Sequence, residues 1–241
     1  MKVAGPEHER LPPTLPRVPA DAGPTVRDAT FAVLRHHGLT TLFSNPGSTE
    51  VPFLAGLPDD LEFVLALHEA AVVGLATGWA LGREAPALAL LHTTAGLGNA
   101  VGALATARVN RAPLVVIVGQ QDRRHLALEP FLTGRLRGLA GDYPVWTGEP
   151  ARPQDVPGLI ARAAHEATTR RGPALVLVPM DDWLAPAADE PLRPTRRRWT
   201  SQSSIGTSTS AGPRRVAASC AARATRPGTS CGRAGSPVHT G

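Results

Sequence analysis

Apolar positions along the middle of the chain follow two different periods. Segments with helical spacing, such as residues 25–38, 69–82 and 153–171, alternate with short aliphatic runs such as "LVVIV" at 114–118. A helical period favours amphipathic helices, and an uninterrupted aliphatic run favours a strand that is buried on both faces. The alternation predicts an α/β fold, in which a parallel sheet is covered by helices on both faces.

Turn and cap signals predict where these elements begin and end. Thr25 precedes the first helical segment as a candidate N-cap, and Gly38 follows it as a stop. Residues 95–102, "AGLGNAVG", are expected to form a glycine-rich turn that leads into a helix. Strands are predicted in "TTLFSN", "EFVLAL", "ALALLHT", "PLVVIVGQQ" and "PALVLVPMD".

Composition divides the chain into three parts. Residues 1–24 are rich in proline and charge and are expected to form a flexible leader, whereas residues 25–184 carry the alternating pattern. Residues 185–241 are rich in Arg, Ser, Thr, Pro, Gly and Ala, and they contain no Leu and no Phe beyond Trp199. Such a tail cannot bury enough apolar surface to offset its loss of conformational entropy, so we expect it to be disordered.

The net charge of +5 is unevenly distributed along the chain. Residues 191–241 contain nine Arg and no acidic residue, so the basic balance belongs to the tail and the body is mildly acidic. The two cysteines, Cys220 and Cys231, are too few for a disulfide framework. Since no secretory signal and no apolar run of transmembrane length occurs, a cytoplasmic location is expected.

Polar residues follow four successive predicted strands. The carboxyl ends of parallel strands meet at one edge of the sheet, where ligands of open α/β folds bind. These residues therefore predict a site at that edge, although each loop alone could need polar residues and glycine only for its turn. They are Ser44, Asn45, Gly47 and Ser48 after the first strand, His68 and Glu69 after the second, His92, Thr93 and Thr94 after the third, and Gly119, Gln120 and Gln121 after the fourth.

Several of these residues also have a purely structural interpretation. Glu69 could favour the positive end of a helix dipole, which contributes about 0.3–1 kcal/mol. His92 could be a buried histidine with satisfied hydrogen bonds, and Ser48 could be a helix N-cap. The glycines of residues 95–102 match no phosphate-binding motif and could only permit tight contact between a helix and a strand.

Taken together, the segments resemble one family. The stretches "LFSNPGSTEVPFLAGLP", "VLALHEAAVVGLATGWA", "LHTTAGLGNAVGAL", "PLVVIVGQQDRR" and "GPALVLVPMDDW" are similar in order and spacing to the N-terminal domain of thiamine diphosphate-dependent decarboxylases, most of all to the benzoylformate decarboxylase branch. The similarity runs from Thr25 to Trp183, nearly the whole body. It implies a pyrimidine-binding domain, thiamine diphosphate as the cofactor, a 2-keto acid as the substrate and an oligomeric assembly.

The resemblance also implies roles for individual residues. Glu69 would hydrogen-bond the aminopyrimidine ring nitrogen of the cofactor and so promote loss of the thiazolium proton. Ser48 would bind the substrate carboxylate, and His92 would exchange protons beside the reacting carbon. The remaining residues implied to contact the cofactor are Asn45, Pro46, Gly47, Gly96 and Asn99.

Three positions depart from the benzoylformate decarboxylase branch. Ser44 stands where that branch has Gly, Thr49 where it has Asn, and His68 where it has Gln. These differences leave the implied cofactor chemistry intact, but they do not support specificity for an aryl keto acid.

The family holds the cofactor diphosphate through Mg²⁺ or Ca²⁺ in a second domain that begins with Gly-Asp-Gly. No Gly-Asp-Gly occurs in this sequence, so we predict no metal ligands and expect the isolated chain to be incomplete and nearly inactive. The abrupt change in composition between Leu192 and Thr200 leads to the hypothesis that the tail is translated out of frame. Sequencing the DNA through codons 185–241 and beyond tests it, because an intact in-frame domain end would exclude it.

Three other interpretations stay open. The chain could be the pyrimidine-domain subunit of a split thiamine diphosphate enzyme, which a neighbouring gene for the complementary domain would support. It could bind nucleic acid through its tail, although only Arg196–Arg198 form a run among scattered arginines. It could be a serine hydrolase that uses Ser48 and His92, although Ser48 does not lie in a G-x-S-x-G motif.

Overall fold

Strands and helices alternate along the part of the chain that the structure, a computed structural model, describes: residues 23–188. The strands are β1 (Thr41–Ser44), β2 (Glu62–Leu65), β3 (Ala87–His92), β4 (Leu114–Gln120), β5 (Trp146–Gly148) and β6 (Pro173–Pro179). The helices are α1 (Val26–His36), α2 (Val51–Leu54), α3 (Glu69–Arg83), α4 (Thr93–Val109) and α5 (Val156–Arg170). All strand pairs are parallel, in the order β2-β1-β3-β4-β6-β5, which confirms the predicted fold class.

The two faces of the sheet carry separate hydrophobic cores. Successive side chains of a strand point to opposite faces, so Val115 and Ile117 of β4 pack with one core while Val116 and Val118 pack with the other. The first core includes buried side chains of α1 and α5, and the second includes those of α3 and α4. Both faces of β4 are therefore covered, as its continuous aliphatic run predicts.

The predicted ends of α1 are confirmed. Thr25 is its N-cap in a capping box with Asp28: the Asp28 backbone N–H donates to the Thr25 hydroxyl at 3.2 Å, and the Thr25 N–H donates to the Asp28 carboxylate at 2.9 Å. Gly38 follows the helix with a φ of 68°. Most of the predicted leader (1–24) and tail (185–241) lies outside the described residues, so their expected disorder stays a prediction.

The predicted glycine-rich turn at residues 95–102 is wrong. β3 ends at His92 and α4 begins at Thr93, so these glycines lie within the helix. A Cβ on buried Gly96 would lie 3.2 Å from the carbonyl carbon of Leu91. Gly96 therefore permits the close approach of α4 to the end of β3, the alternative interpretation of this segment.

Two further elements differ from expectation. Ser48 is not the N-cap of a helix, because α2 begins at Val51 with Glu50 in the cap position. The edge strand β5 was not predicted, since three residues are too few to show a period. Within the described part of the chain, no helix is both long and apolar enough to cross a membrane.

An ion pair between a partly exposed arginine and a buried aspartate joins the ends of β4 and β6. The Arg123 guanidinium donates to both carboxylate oxygens of Asp182, from Nε at 2.6 Å and from a terminal nitrogen at 2.7 Å, and also to the Pro150 carbonyl at 2.7 Å. Asp182 is fully buried. Burial raises the pKa of Asp182, while the guanidinium opposes that rise. Arg123 therefore offsets the cost of burying the Asp182 carboxylate.

We predict that Arg123→Met destabilises the fold by about 3 kcal/mol, because it leaves the Asp182 carboxylate buried without its partner. The matched control is Arg137→Met, which removes an exposed pair with Glu149 at 3.3 Å and should cost less than about 1 kcal/mol. Urea denaturation at neutral pH measures both free energies of unfolding. Equal, small losses in the two variants would contradict the assigned role of Arg123.

Candidate functional site

The candidate site lies at the carboxyl edge of the sheet. β1 pairs with both β2 and β3, so the residues that follow these three strands meet there. They form two hydrogen-bonded groups, one around Glu69 and one around His92. The predicted convergence of polar residues from separate loops is therefore present in the structure.

Glu69 is a buried carboxylate held by two amides. It is the first residue of α3 and is 6% exposed. Asn45 donates to Oε1 at 3.1 Å and Asn99 donates to Oε2 at 3.0 Å. Burial alone would raise the pKa of Glu69, but hydrogen bonds from Asn99, from its own backbone and from Asn45, together with nearby His68, hold the pKa below its ordinary value. Glu69 is thus an ionised hydrogen-bond acceptor at neutral pH. The helix dipole is only one of the interactions that stabilise its charge, since the hydrogen bonds from the amides act as well.

His92 is held by a second buried acid, Glu50. His92 Nδ1 lies 2.9 Å from Glu50 Oε2 and 2.8 Å from the Thr49 hydroxyl, and that hydroxyl also donates to Glu50. The Gly47 backbone N–H donates to Glu50 Oε2 at 2.8 Å. The hydrogen bond to Glu50 raises the pKa of His92, burial opposes the rise, and the charges of Glu50 and Glu69 add to it.

The other predicted site residues have different surroundings. Ser48 and Pro46 are exposed in the β1–α2 connection, and Ser48 makes no hydrogen bond with His92, whose Nδ1 partners are Thr49 and Glu50. Gly96 packs beneath the end of β3 and not in an open loop. The structure thus gives no support to a Ser48–His92 hydrolase pair.

The polar end of β4 has a structural role. The buried Gln120 side chain accepts from the Gly134 N–H at 2.9 Å and donates to the Gly134 carbonyl at 2.7 Å. The Thr93 hydroxyl donates to the Leu132 carbonyl at 2.9 Å. Gln120 and Thr93 therefore hold the long β4–β5 connection in place. The sequence alone does not distinguish this structural role from a role in ligand binding.

Glu50 is the functional candidate that sequence reasoning missed. Its only signal is an acid beside Val51 and Pro52 in a loop that follows a buried strand. That signal does not predict burial, because an acid before a helix is ordinarily exposed.

Across residues 23–188, no cluster of three or more His, Cys, Asp or Glu side chains is arranged to hold a metal ion.

Comparison with known proteins agrees with this architecture. Residues 24–138 match the family described as "Thiamine pyrophosphate enzyme, N-terminal TPP binding domain". Benzoylformate decarboxylase of Pseudomonas aeruginosa is 45% identical over 165 residues, which are 68% of this chain and 31% of that protein. The solved thiamine diphosphate-dependent 4-hydroxybenzoylformate decarboxylase of Rhodococcus jostii RHA1 matches with a TM-score of 0.70 and 43% identity, over 74% of this chain and 34% of that one. Benzoylformate decarboxylase of Polynucleobacter necessarius matches with a TM-score of 0.67 and 43% identity, over 69% of this chain and 32% of that one.

Fold and similarity define the class of domain: residues 24–138 carry the N-terminal TPP-binding domain of thiamine pyrophosphate enzymes. Within that class, these three relatives are decarboxylases of benzoylformate or 4-hydroxybenzoylformate. The resemblance inferred from the sequence is therefore confirmed. The chain spans about a third of the length of these relatives.

We predict that Asn99→Ala raises the pKa of Glu69, because burial then acts with one donor fewer. Since the folded-state pKa of Glu69 lies below the unfolded one, its contribution to stability is present above the unfolded pKa and is lost as the pH falls through the folded pKa. In Asn99→Ala the folded-state pKa lies closer to the unfolded one, so this contribution should be smaller and its loss should be complete at a higher pH. Carboxyl NMR titration and urea denaturation in the acid range measure the two effects.

The control for this prediction is Asn110→Ala at the other end of α4, where the residue is the C-cap, whereas the amides that donate to Glu69 are Asn45 and Asn99. It should leave the Glu69 titration unchanged. An unchanged pKa in Asn99→Ala would show that the amide does not stabilise the carboxylate.

Proposed function

We propose that this domain binds the aminopyrimidine ring of thiamine diphosphate and belongs to a 2-keto-acid decarboxylase. The observation that carries the proposal is the Glu69 carboxylate, buried at the strand ends and held by Asn45 and Asn99. Each of its oxygens has a further lone pair, so an ionised Glu69 can accept a hydrogen bond from a ring nitrogen. The Glu69 acceptor therefore fits the cofactor that the family implies.

The other residues would orient the reactants. When bound, thiamine diphosphate supplies the electron sink for decarboxylation. Asn45 and Asn99 fix the Glu69 carboxylate, and Pro46, Gly47 and Gly96 lie in the connection and helix that border it. His92 would exchange protons with the reacting substrate, and the exposed Ser48 hydroxyl would donate to the substrate carboxylate.

The three departures from the benzoylformate decarboxylase branch have structural roles within this domain. The Ser44 hydroxyl is buried and donates to the Leu90 carbonyl at 3.0 Å. Thr49 supports Glu50 and His92, and the His68 ring accepts from the Ala70 N–H at 3.1 Å as the N-cap of α3. These contacts lie within the domain and do not select a substrate. Because the relatives are decarboxylases of benzoylformate or 4-hydroxybenzoylformate, we propose benzoylformate-like acids as the substrate class.

We further propose that another domain or subunit covers the outer face of α3, as a homo-oligomer or a split enzyme would require. Leu75 is 47% exposed there and Trp79 is 36% exposed. A shallow apolar groove lies on this face. It is lined by Phe43, Gly74, Leu75, Gly78, Trp79, Gly82 and Arg83.

To test the activity, we would replace the N-terminal domain of the Pseudomonas aeruginosa benzoylformate decarboxylase with residues 23–188 of this chain. We expect the chimera to decarboxylate benzoylformate, and Glu69→Gln to lower its kcat about 100-fold or more, because the carboxylate acceptor is lost. Glu62→Gln, at the opposite end of β2, should leave kcat unchanged. A folded, inactive chimera, or full activity in Glu69→Gln, would refute the proposal.

The assembly is tested on the full chain by light scattering. We expect it to self-associate when its partner is absent, because an exposed apolar face favours association. Leu75→Lys should reduce the association, whereas Val109→Lys, at a position 82% exposed at the end of α4, should not. A monodisperse monomer would contradict the prediction.

A further inference from the structure

Glu50 is a buried carboxylate to which the proposed function assigns no role. Its side chain is fully buried, directly before α2. A carboxylate in that setting is costly unless donors surround it. Three donors do so: the Gly47 N–H and the His92 ring on Oε2, and the Thr49 hydroxyl on Oε1.

These contacts determine which nitrogen of His92 carries the proton. A carboxylate only accepts, and the Thr49 hydroxyl gives its hydrogen to Glu50, so both groups present lone pairs to Nδ1. Nδ1 is therefore protonated in the neutral ring as well as in the charged ring. Nε2 has no hydrogen-bond partner among the described residues, so it is the nitrogen that gains and loses a proton.

Two glycines make room for this pair. A Cβ on Gly47 would overlap the His92 ring, and a Cβ on Gly119 would overlap Glu50 Oε1. Gly119 is also the register partner of His92 across β3 and β4. The absence of a side chain at Gly47 and Gly119 therefore leaves the space that the His92 ring and the Glu50 carboxylate occupy. A solvated acid would not require this space.

We propose that Glu50 is a positioning residue that keeps Nδ1 of His92 protonated and leaves Nε2 to exchange protons with a ligand at the strand ends. The ligand part of this proposal rests on the proposed function. The charged groups that act on His92 are Glu50 before α2 and Glu69 at the start of α3. Glu50 acts through a hydrogen bond and through its charge, whereas Glu69 acts through charge alone.

The test is ¹H–¹⁵N NMR of the full chain with labelled histidine, followed over pH, with the His92 signals assigned by their loss in His92→Gln. In the wild type we expect the neutral ring in its Nδ1–H form and a pKa above that of an exposed histidine. Glu50→Gln should lower the pKa and populate the Nε2–H form. Glu69→Gln should lower the pKa and keep the tautomer, and Glu62→Gln should change neither.

A wild-type ring in the Nε2–H form would overturn the proposal without any variant. A folded Glu50→Gln with an unchanged tautomer and titration would overturn it as well. If Glu50→Gln does not fold, Thr49→Val keeps the carboxylate and should keep the Nδ1–H form; loss of that form would assign the tautomer to Thr49 instead. Because the measurement needs no cofactor, failure of the chain to bind thiamine diphosphate would refute the proposed function and leave the tautomer assignment intact.

Discussion

Buried carboxylates at the carboxyl edge of the sheet are the constraint on which this structure depends. Glu50, Glu69, Asp122 and Asp182 follow four different strands, and their exposed fractions are 1%, 6%, 6% and 0%. Each would be costly to bury without donors. The fold compensates the two aspartates with guanidinium groups and the two glutamates with amides, a hydroxyl, a backbone N–H and an imidazole.

The kind of partner distinguishes the carboxylates with a structural role from those that can interact with a ligand. The Arg123–Asp182 pair is bidentate and leaves little capacity for another partner. Glu69 is held by neutral amides, so its negative charge is not cancelled and acts on its surroundings, including His92. A buried, uncancelled carboxylate favours a ligand that donates hydrogen bonds or carries positive charge, as a protonated pyrimidine ring nitrogen does.

Local patterns predicted the parts of the structure that local forces determine. The buried strands, the Thr25 cap and the polar strand ends all follow from periodicity and turn chemistry. The interpretation of residues 95–102 failed because the same glycines suit a turn or a close-packed helix, and only the distance between Gly96 and the end of β3 decides between them. Glu50 was missed for a similar reason, since its partners Gly47, His92 and Gly119 come from three separate connections or strands. The role of Glu69 came from resemblance to a family, because no period or spacing reports a cofactor.

The pKa values of Glu69 and His92 are shifted in opposite directions. Hydrogen bonds keep the pKa of Glu69 below its ordinary value despite burial, while the hydrogen bond to Glu50 lifts the pKa of His92 above its own. Glu69 therefore stays charged across the range in which His92 titrates, and His92 gains or loses its proton in a constant negative field. Groups whose environments push their pKa values apart take separate roles in acid–base chemistry. In this site the separation supports the proposed roles, in which Glu69 stays an acceptor and His92 exchanges protons.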